Sequence, residues 1–201
     1  MGRRSIHSPE ELRELILQAT TEIVEEDGLE GLSAREIAKR IGYSPGTLYN
    51  VFENLDDILL TIEARLLDRL ADRLTNTDTS GTPQERLKRL TEAYFDFTQE
   101  SPKLWNLLVE HRLPVGQDVP TWYRAKLESL LAPLEEALAP LIGGKDSCAQ
   151  KQAARALWAG VHGMTSLSTA AKLSPVTGPA SGALIDDLVS TYLAGLTKRS
   201  A

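Results

Sequence analysis

Apolar residues return every three or four positions along most of the chain, and no stretch alternates in steps of two between turn signals, so the pattern predicts an all-α protein. Ser8-Pro9-Glu10-Glu11 holds the parts of a helix start: a capping serine, proline at the first helical position and a glutamate three residues after the cap. The helix it opens predicts a core face of Leu12, Leu15, Ile16, Ala19, Ile23 and Val24 and ends at Asp27-Gly28. A second box, Ser33-Ala34-Arg35-Glu36, opens a short helix with Ile37, Ala38 and Ile41 inward, and Gly42 stands where a left-handed residue is wanted. Ser44-Pro45 starts a third helix two residues later. From about Asn54 to about Thr75 a longer helix turns Ile58, Leu59, Ile62, Leu66, Leu67 and Leu70 inward.

A polar loop from Thr75 to Pro83 then gives way to a helix near Glu85 to Gln99 that carries Leu87, Leu90, Tyr94 and Phe97. Pro102, Pro114 with Gly116, Pro120, Gly143-Gly144 and Ser174-Pro175 divide the remainder into about five helices. With 42% hydrophobic and 25% charged residues among 201, the chain can fold around a core and is too apolar for a disordered tail. The single cysteine, Cys148, excludes an intrachain disulfide framework and a zinc ribbon, and a reducing compartment fits best. The chain becomes charged before any apolar run develops, and no stretch reaches the roughly 18 apolar residues of a membrane span. These features predict a soluble cytoplasmic protein with no membrane partner.

Enzyme readings find little support. His7, His111 and His162 are too scattered for metal-ligand spacing, no glycine-rich loop follows a strand, and no Gly-x-Ser-x-Gly elbow occurs. Adjacent Glu110 and His111 would point in different directions on a helix. No catalytic residue, metal or cofactor is expected. The net charge is −6, and residues 1–60 carry the whole deficit, with 6 Lys/Arg against 12 Asp/Glu. Most of that acid lies off the apolar stripe of the first helix, whereas Arg35, Lys39 and Arg40 gather in the second.

Two short capped helices joined by a glycine-containing turn form the helix-turn-helix pattern. The run Leu32-Ser33-Ala34-Arg35-Glu36-Ile37-Ala38-Lys39-Arg40-Ile41-Gly42-Tyr43-Ser44-Pro45-Gly46-Thr47-Leu48-Tyr49-Asn50-Val51-Phe52 closely resembles the DNA-binding signature of the tetracycline-repressor (TetR/AcrR) family. The resemblance is strongest over residues 9–60. It implies a three-helix head joined by a long fourth helix to a C-terminal helical bundle, with a DNA-binding domain at 1–54 and an effector-binding and dimerisation domain at 55–201. With Leu48, Val51 and Phe52 inward and the third helix about two turns long, Ser44, Pro45, Gly46, Thr47, Tyr49 and Asn50 are left to meet DNA. The resemblance gives Ser33, Thr47 and Tyr49 phosphate contacts through their hydroxyls, and Arg35 is the candidate for two hydrogen bonds to a guanine. Many members of the family place lysine where Leu55 stands, whereas Glu53-Asn54-Leu55-Asp56-Asp57 has no cation. Arg3 and Arg4 can reach a minor groove or simply solubilise the terminus.

In the body, Ala156-Leu157-Trp158-Ala159-Gly160-Val161-His162-Gly163 resembles the Trp-His-Gly helix of one subgroup of the family. Arg155, Trp158, His162 and Ser166 share one face of this helix, and Ala156, Gly160, Gly163 and Leu167 another. Trp105, Trp158 and His162 are candidates to line an apolar effector pocket, with ordinary core roles as the alternative. The last helix carries a broad stripe that includes Leu184, Leu188 and Tyr192, and the resemblance implies that this stripe, with Gly160 and Gly163, meets a second copy in a homodimer. Packing within one chain is the alternative. The expected function is a dimeric repressor that binds a palindromic double-stranded operator and leaves it when a small apolar effector of unknown identity enters the body. The alternatives are an activator or effector-independent regulator, a helical ligand-binding or interaction protein whose head binds DNA weakly or no longer, and a small hydrolase without a motif.

Overall fold

The computed structural model describes residues 7–78, 80–142, 147–169 and 181–200. Arg3, Arg4, Gly143-Gly144 and Ser174-Pro175 lie outside these residues. The described residues contain helices and no strand, as the apolar period predicts.

Helix α1 spans Pro9–Asp27, and its expected capping box is complete: Ser8 accepts the N–H of Glu11, whose carboxylate accepts the N–H of Ser8. Leu12, Ile16, Ala19, Ile23 and Val24 are buried as expected, while Leu15 is half-buried and Leu17 and Thr20 join the core. Helix α2 (Ala34–Ile41) begins with Ser33 accepting the N–H of Glu36, and ends at Gly42 with φ 73°, the left-handed conformation that glycine adopts at least cost. Only half of the second capping box forms, because the Glu36 carboxylate accepts from Lys39 instead. Helix α3 (Pro45–Leu48) is a single turn, not the two expected. Beyond it, Asn50 and Val51 donate to the carbonyls of Thr47 and Leu48, three residues back. Both are weak helix formers; Phe52 donates to the Leu48 carbonyl four residues back, and Arg13 takes the Val51 carbonyl as its acceptor (3.0 Å), which ties the segment to α1.

Helix α4 (Leu55–Thr75) buries all six of the expected apolar residues, Ile58 to Leu70, and with them Glu63. Helix α5 (Pro83–Glu100) starts two residues before expectation, because Thr82 and Glu85 form a capping box with Pro83 at the first helical position. Helices α6 (Pro102–Glu110), α7 (Thr121–Ser129), α8 (Ala132–Leu138), α9 (Ser147–Thr169) and α10 (Ser181–Ser200) follow.

Packing gathers these elements into two compact units. The first holds the chain up to Leu66 together with Lys103–Tyr123, and the second holds Leu67–Pro102 and the chain from Arg124 onward. This grouping crosses the functional division expected at 54/55, since α6 belongs with the head. In the first unit α1 packs on α2 and α2 on α3. The amino end of α6 returns to α1, where the Lys103 ammonium donates to the Glu26 carbonyl and supplies the cation that the last turn of α1 lacks. In the second unit α5, α8, α9 and α10 pack on one another as a bundle. Its core takes Leu87, Leu90, Tyr94 and Phe97 from α5, Leu157 and Val161 from α9, and Ile185, Val189 and Leu193 from α10.

Candidate functional site

In the head, Leu48 and Phe52 are buried and fix the inner side of the α3 segment, with Val51 half-buried beside them. Arg35, Ser44, Pro45, Gly46, Tyr49 and Asn50 are exposed, and Ser33 and Thr47 half-buried. The Ser44 and Thr47 hydroxyls lie 2.9 Å apart, one donating to the other. Ser33 spends a lone pair on the N–H of Glu36, which leaves its hydroxyl proton free to donate to an outside acceptor. The Arg13 guanidinium sits 4.1 Å from the centre of the Phe52 ring while donating to Val51 and Thr61, and so ties the end of the recognition segment to α1 and α4.

The head's charges divide sharply between paired and free. Arg40 forks onto both carboxylate oxygens of Glu26 (3.0 and 2.6 Å) and passes 3.7 Å from Glu22. Arg65 forks likewise onto Glu14 (2.8 and 2.5 Å). These hydrogen bonds hold the Glu26 and Glu14 carboxyls below the usual carboxylate range. Lys39 pairs with Glu36 at 3.3 Å. Among the described residues up to 60, Arg35 alone of the basic residues makes no hydrogen bond or ion pair. Leu55, half-buried, opens α4 beside Asp56 and Asp57 with no cation in its first turn.

A polar cluster that sequence reasoning missed lies inside the first unit. Glu63, on α4, accepts from His111 Nδ1 (2.6 Å) and from the Tyr123 hydroxyl (2.8 Å), and His111 Nε2 lies 3.2 Å from Asp56. The His111 and Glu63 side chains are 6% and 4% exposed. The hydrogen bond to Glu63 outweighs the effect of burial and raises the His111 pKa, while burial first, and the Glu63 charge after it, raises that of Tyr123. Glu63 follows Leu59 by four residues and precedes Leu66 by three, so a charge within the apolar stripe of α4 was the available signal.

In the second unit, a cavity of about 30 Å³ is walled by Leu74, Leu90, Leu134 and Leu157 with Tyr94 and Trp158. That is space for about two waters, so a larger occupant has to open it. Trp158 stacks on His162 with ring centres 5.0 Å apart and planes 17° apart. His162 is hydrogen-bonded to the Tyr94 hydroxyl (2.7 Å), and burial lowers its pKa, so the ring is neutral near pH 7. Trp158 and His162 are thus brought together. Trp105 is not: it is buried in the first unit on the α6 stripe of Leu104, Trp105 and Leu107, and does not line this cavity.

The candidate interface residues also separate. At Gly160 a methyl group would come within 2.9 Å of Leu188 Cδ2, so this small position already admits a helix of the same chain. Tyr192 donates to the Ala153 carbonyl (3.1 Å). Leu184 is 38% exposed and Gly163 faces open space, so these two retain an outward side.

No group of three or more potential metal ligands occurs among the described residues, and none of their helices is long and apolar enough to cross a membrane. Residues 16–62 match the family described as bacterial regulatory proteins, tetR family, and residues 87–192 match the tetracyclin repressor-like C-terminal domain, whose description names no Trp-His-Gly subgroup. An uncharacterised HTH-type transcriptional regulator of Mycobacterium tuberculosis is 23% identical over 98% of this chain and 87% of its own. A tetR-family transcriptional regulator from Streptomyces coelicolor superimposes with a TM-score of 0.69 at 20% identity, covering 100% of this chain and 90% of that one. The fatty acid degradation regulator FadR from Bacillus halodurans does so with a TM-score of 0.65 at 19% identity, covering 94% and 97%. A head with the helix-turn-helix geometry and a body that matches over more than half of the chain lead to one conclusion: this protein belongs to the TetR family of transcriptional regulators.

Proposed function

We propose that this protein is a homodimeric repressor that holds a palindromic operator with two copies of its head and releases it when a small, largely apolar effector enters the body. The observation that carries the DNA-binding half is the free Arg35 guanidinium on α2, exposed together with Ser44–Gly46, Tyr49 and Asn50 of the following segment. Every other described cation of the head is occupied by protein acceptors. A free guanidinium can make two hydrogen bonds to guanine O6 and N7, and exposed hydroxyls can hold phosphates on either side. The apolar cavity behind Trp158 supports an apolar effector, as does the likeness of the fold to FadR, the fatty acid degradation regulator of Bacillus halodurans. Release follows if the effector fits better in the form whose heads are wrongly spaced for the operator, since only differential affinity shifts the population.

The experiment is a mobility shift on DNA from the protein's genomic neighbourhood, with Arg35→Ala beside the unaltered protein. The expected loss is about 1 to 3 kcal/mol, with preference relaxed at one symmetric pair of positions. An equal loss on all sequences would make Arg35 a phosphate holder. No retardation of any such fragment would favour the rival reading, a ligand-binding protein with a silent head, for which the absence of a cation at Leu55 speaks.

A further inference from the structure

A cleft of about 720 Å³ opens on the surface of the second unit, where Arg124 and Leu127 of α7 and Leu131 face Lys151, Arg155 and Trp158 of α9. Its volume falls within the range of small-molecule sites. The floor is apolar: Leu127 is among the large apolar side chains left exposed, and Leu131 and Trp158 continue it inward. Several other cations of this unit are paired with carboxylates, Lys88 with Asp186, Lys126 with Asp68 and Arg73 with Glu100, while Arg69 lies over the Phe97 ring. Those of the cleft are not. Arg124, Lys151 and Arg155 make no hydrogen bond or ion pair among the described residues, although the carboxylates of Glu128 and Glu135 line the same cleft. An apolar floor rimmed by three unpaired cations matches one kind of molecule.

We propose that this cleft binds a small amphiphile with an aliphatic tail and an anionic head, carboxylate or phosphate, and that this is the chemical class of the effector. The proposal rests on the reading that the body takes an effector. The head meets Arg124, Lys151 and Arg155, whose two guanidinium forks match the paired oxygens of either anion. The tail lies along Leu127 and Leu131 against Trp158. Trp158 also walls the apolar cavity, so an occupant of the cleft presses on an indole that the cavity shares. From there the stack onto His162 and its hydrogen bond to Tyr94 carry the displacement to α5.

The test is calorimetric titration of the full chain with dodecanoate, dodecyl phosphate and dodecanol, each below the concentration at which it forms micelles. At least one anion is expected to bind about tenfold or more tightly than dodecanol, and the tighter anion identifies the head group. Lys151→Glu with Arg155→Glu, at two exposed positions of α9, should cost that anion about tenfold or more and leave dodecanol unchanged, with circular dichroism showing an intact fold. Failure of both anions to bind, equal binding of dodecanol, or indifference to the charge reversal overturns the proposal. The effector reading fails separately. Should the anion bind through these cations without weakening a retarded DNA complex, the cleft assignment holds and the effector role falls. Should another apolar compound release the DNA while no anion binds, the reverse is true.

Discussion

Removing the His111 imidazole isolates a buried charge, and the cost follows from the contacts. Glu63 keeps only the Tyr123 hydroxyl after His111→Ala, and its side chain is 4% exposed, so water cannot replace the lost partner without local opening. Breaking a buried ion pair from one side costs about 3 to 5 kcal/mol, against the roughly 0 to 1 kcal/mol of an exposed pair. Replacing both partners removes the stranded charge as well as the attraction, so His111→Leu with Glu63→Leu should recover most of the loss. Urea unfolding followed by circular dichroism measures all three proteins. A cost below about 1 kcal/mol for His111→Ala would refute the reasoning, because Glu63 would then be adequately solvated without its partner.

The pH dependence adds a sign. The folded His111 pKa lies above the ordinary value of 6.5, chiefly through the hydrogen bond to Glu63. Its contribution is therefore fully present below that value and is lost as pH rises through the raised pKa. The gap between the unaltered protein and His111→Ala should narrow on the alkaline side. A gap that widens there would contradict a protonated histidine between Glu63 and Asp56.

The remaining predictions concern the two functional surfaces. Leu55→Lys should raise DNA affinity and steepen the plot of log affinity against log salt by up to about 0.9 per protomer, and an unchanged slope with the fold intact would mean that the start of α4 does not face the phosphates. Leu184→Asp should weaken the proposed dimer, because this residue of the α10 stripe is exposed whereas Leu188 is engaged at Gly160, and a monomer by sedimentation of the unaltered protein at micromolar concentration would refute the interface. Trp158→Ala should abolish any response to an apolar ligand, and a stability loss of about 3 to 5 kcal/mol would identify the indole as core instead.

Local rules carried much of the architecture. The Ser8 and Ser33 caps, the left-handed Gly42 and the stripe from Ile58 to Leu70 depend on neighbours within a few positions, so they are legible in sequence. The shortened α3 was not, and the segment after it is held by Arg13, 38 residues from the carbonyl it binds. Trp105 and Trp158 looked alike as aromatic residues in a helical body, and only packing assigns them to different units. His111 gives no local signal, because its neighbour Glu110 faces elsewhere and its partners stand 48 and 55 positions away. Periodicity identifies a buried face but does not say which distant side chain answers a charge upon it.

The acidic head shows the same gap between a sum and its distribution. An excess of acid over residues 1–60 reads as repulsion toward DNA, yet Glu14, Glu22 and Glu26 lie against Arg65 and Arg40. Those pairs remove acid from the balance and remove Arg40 from the cations a phosphate could reach. Among the described residues of the head, what remains for DNA is Arg35 and, at the cost of its contact with Glu36, Lys39. Affinity for DNA of any sequence comes mainly from the release of counterions by such cations. The described surface of the head, with so few of them, should add little affinity for random sequence and little dependence on salt beyond what Arg3 and Arg4 supply. Its grip then depends on neutral hydroxyl contacts, on base contacts and on the second head of a dimer, all of which require correct register. Sparse free charge in this head favours discrimination between sites over general attraction to DNA.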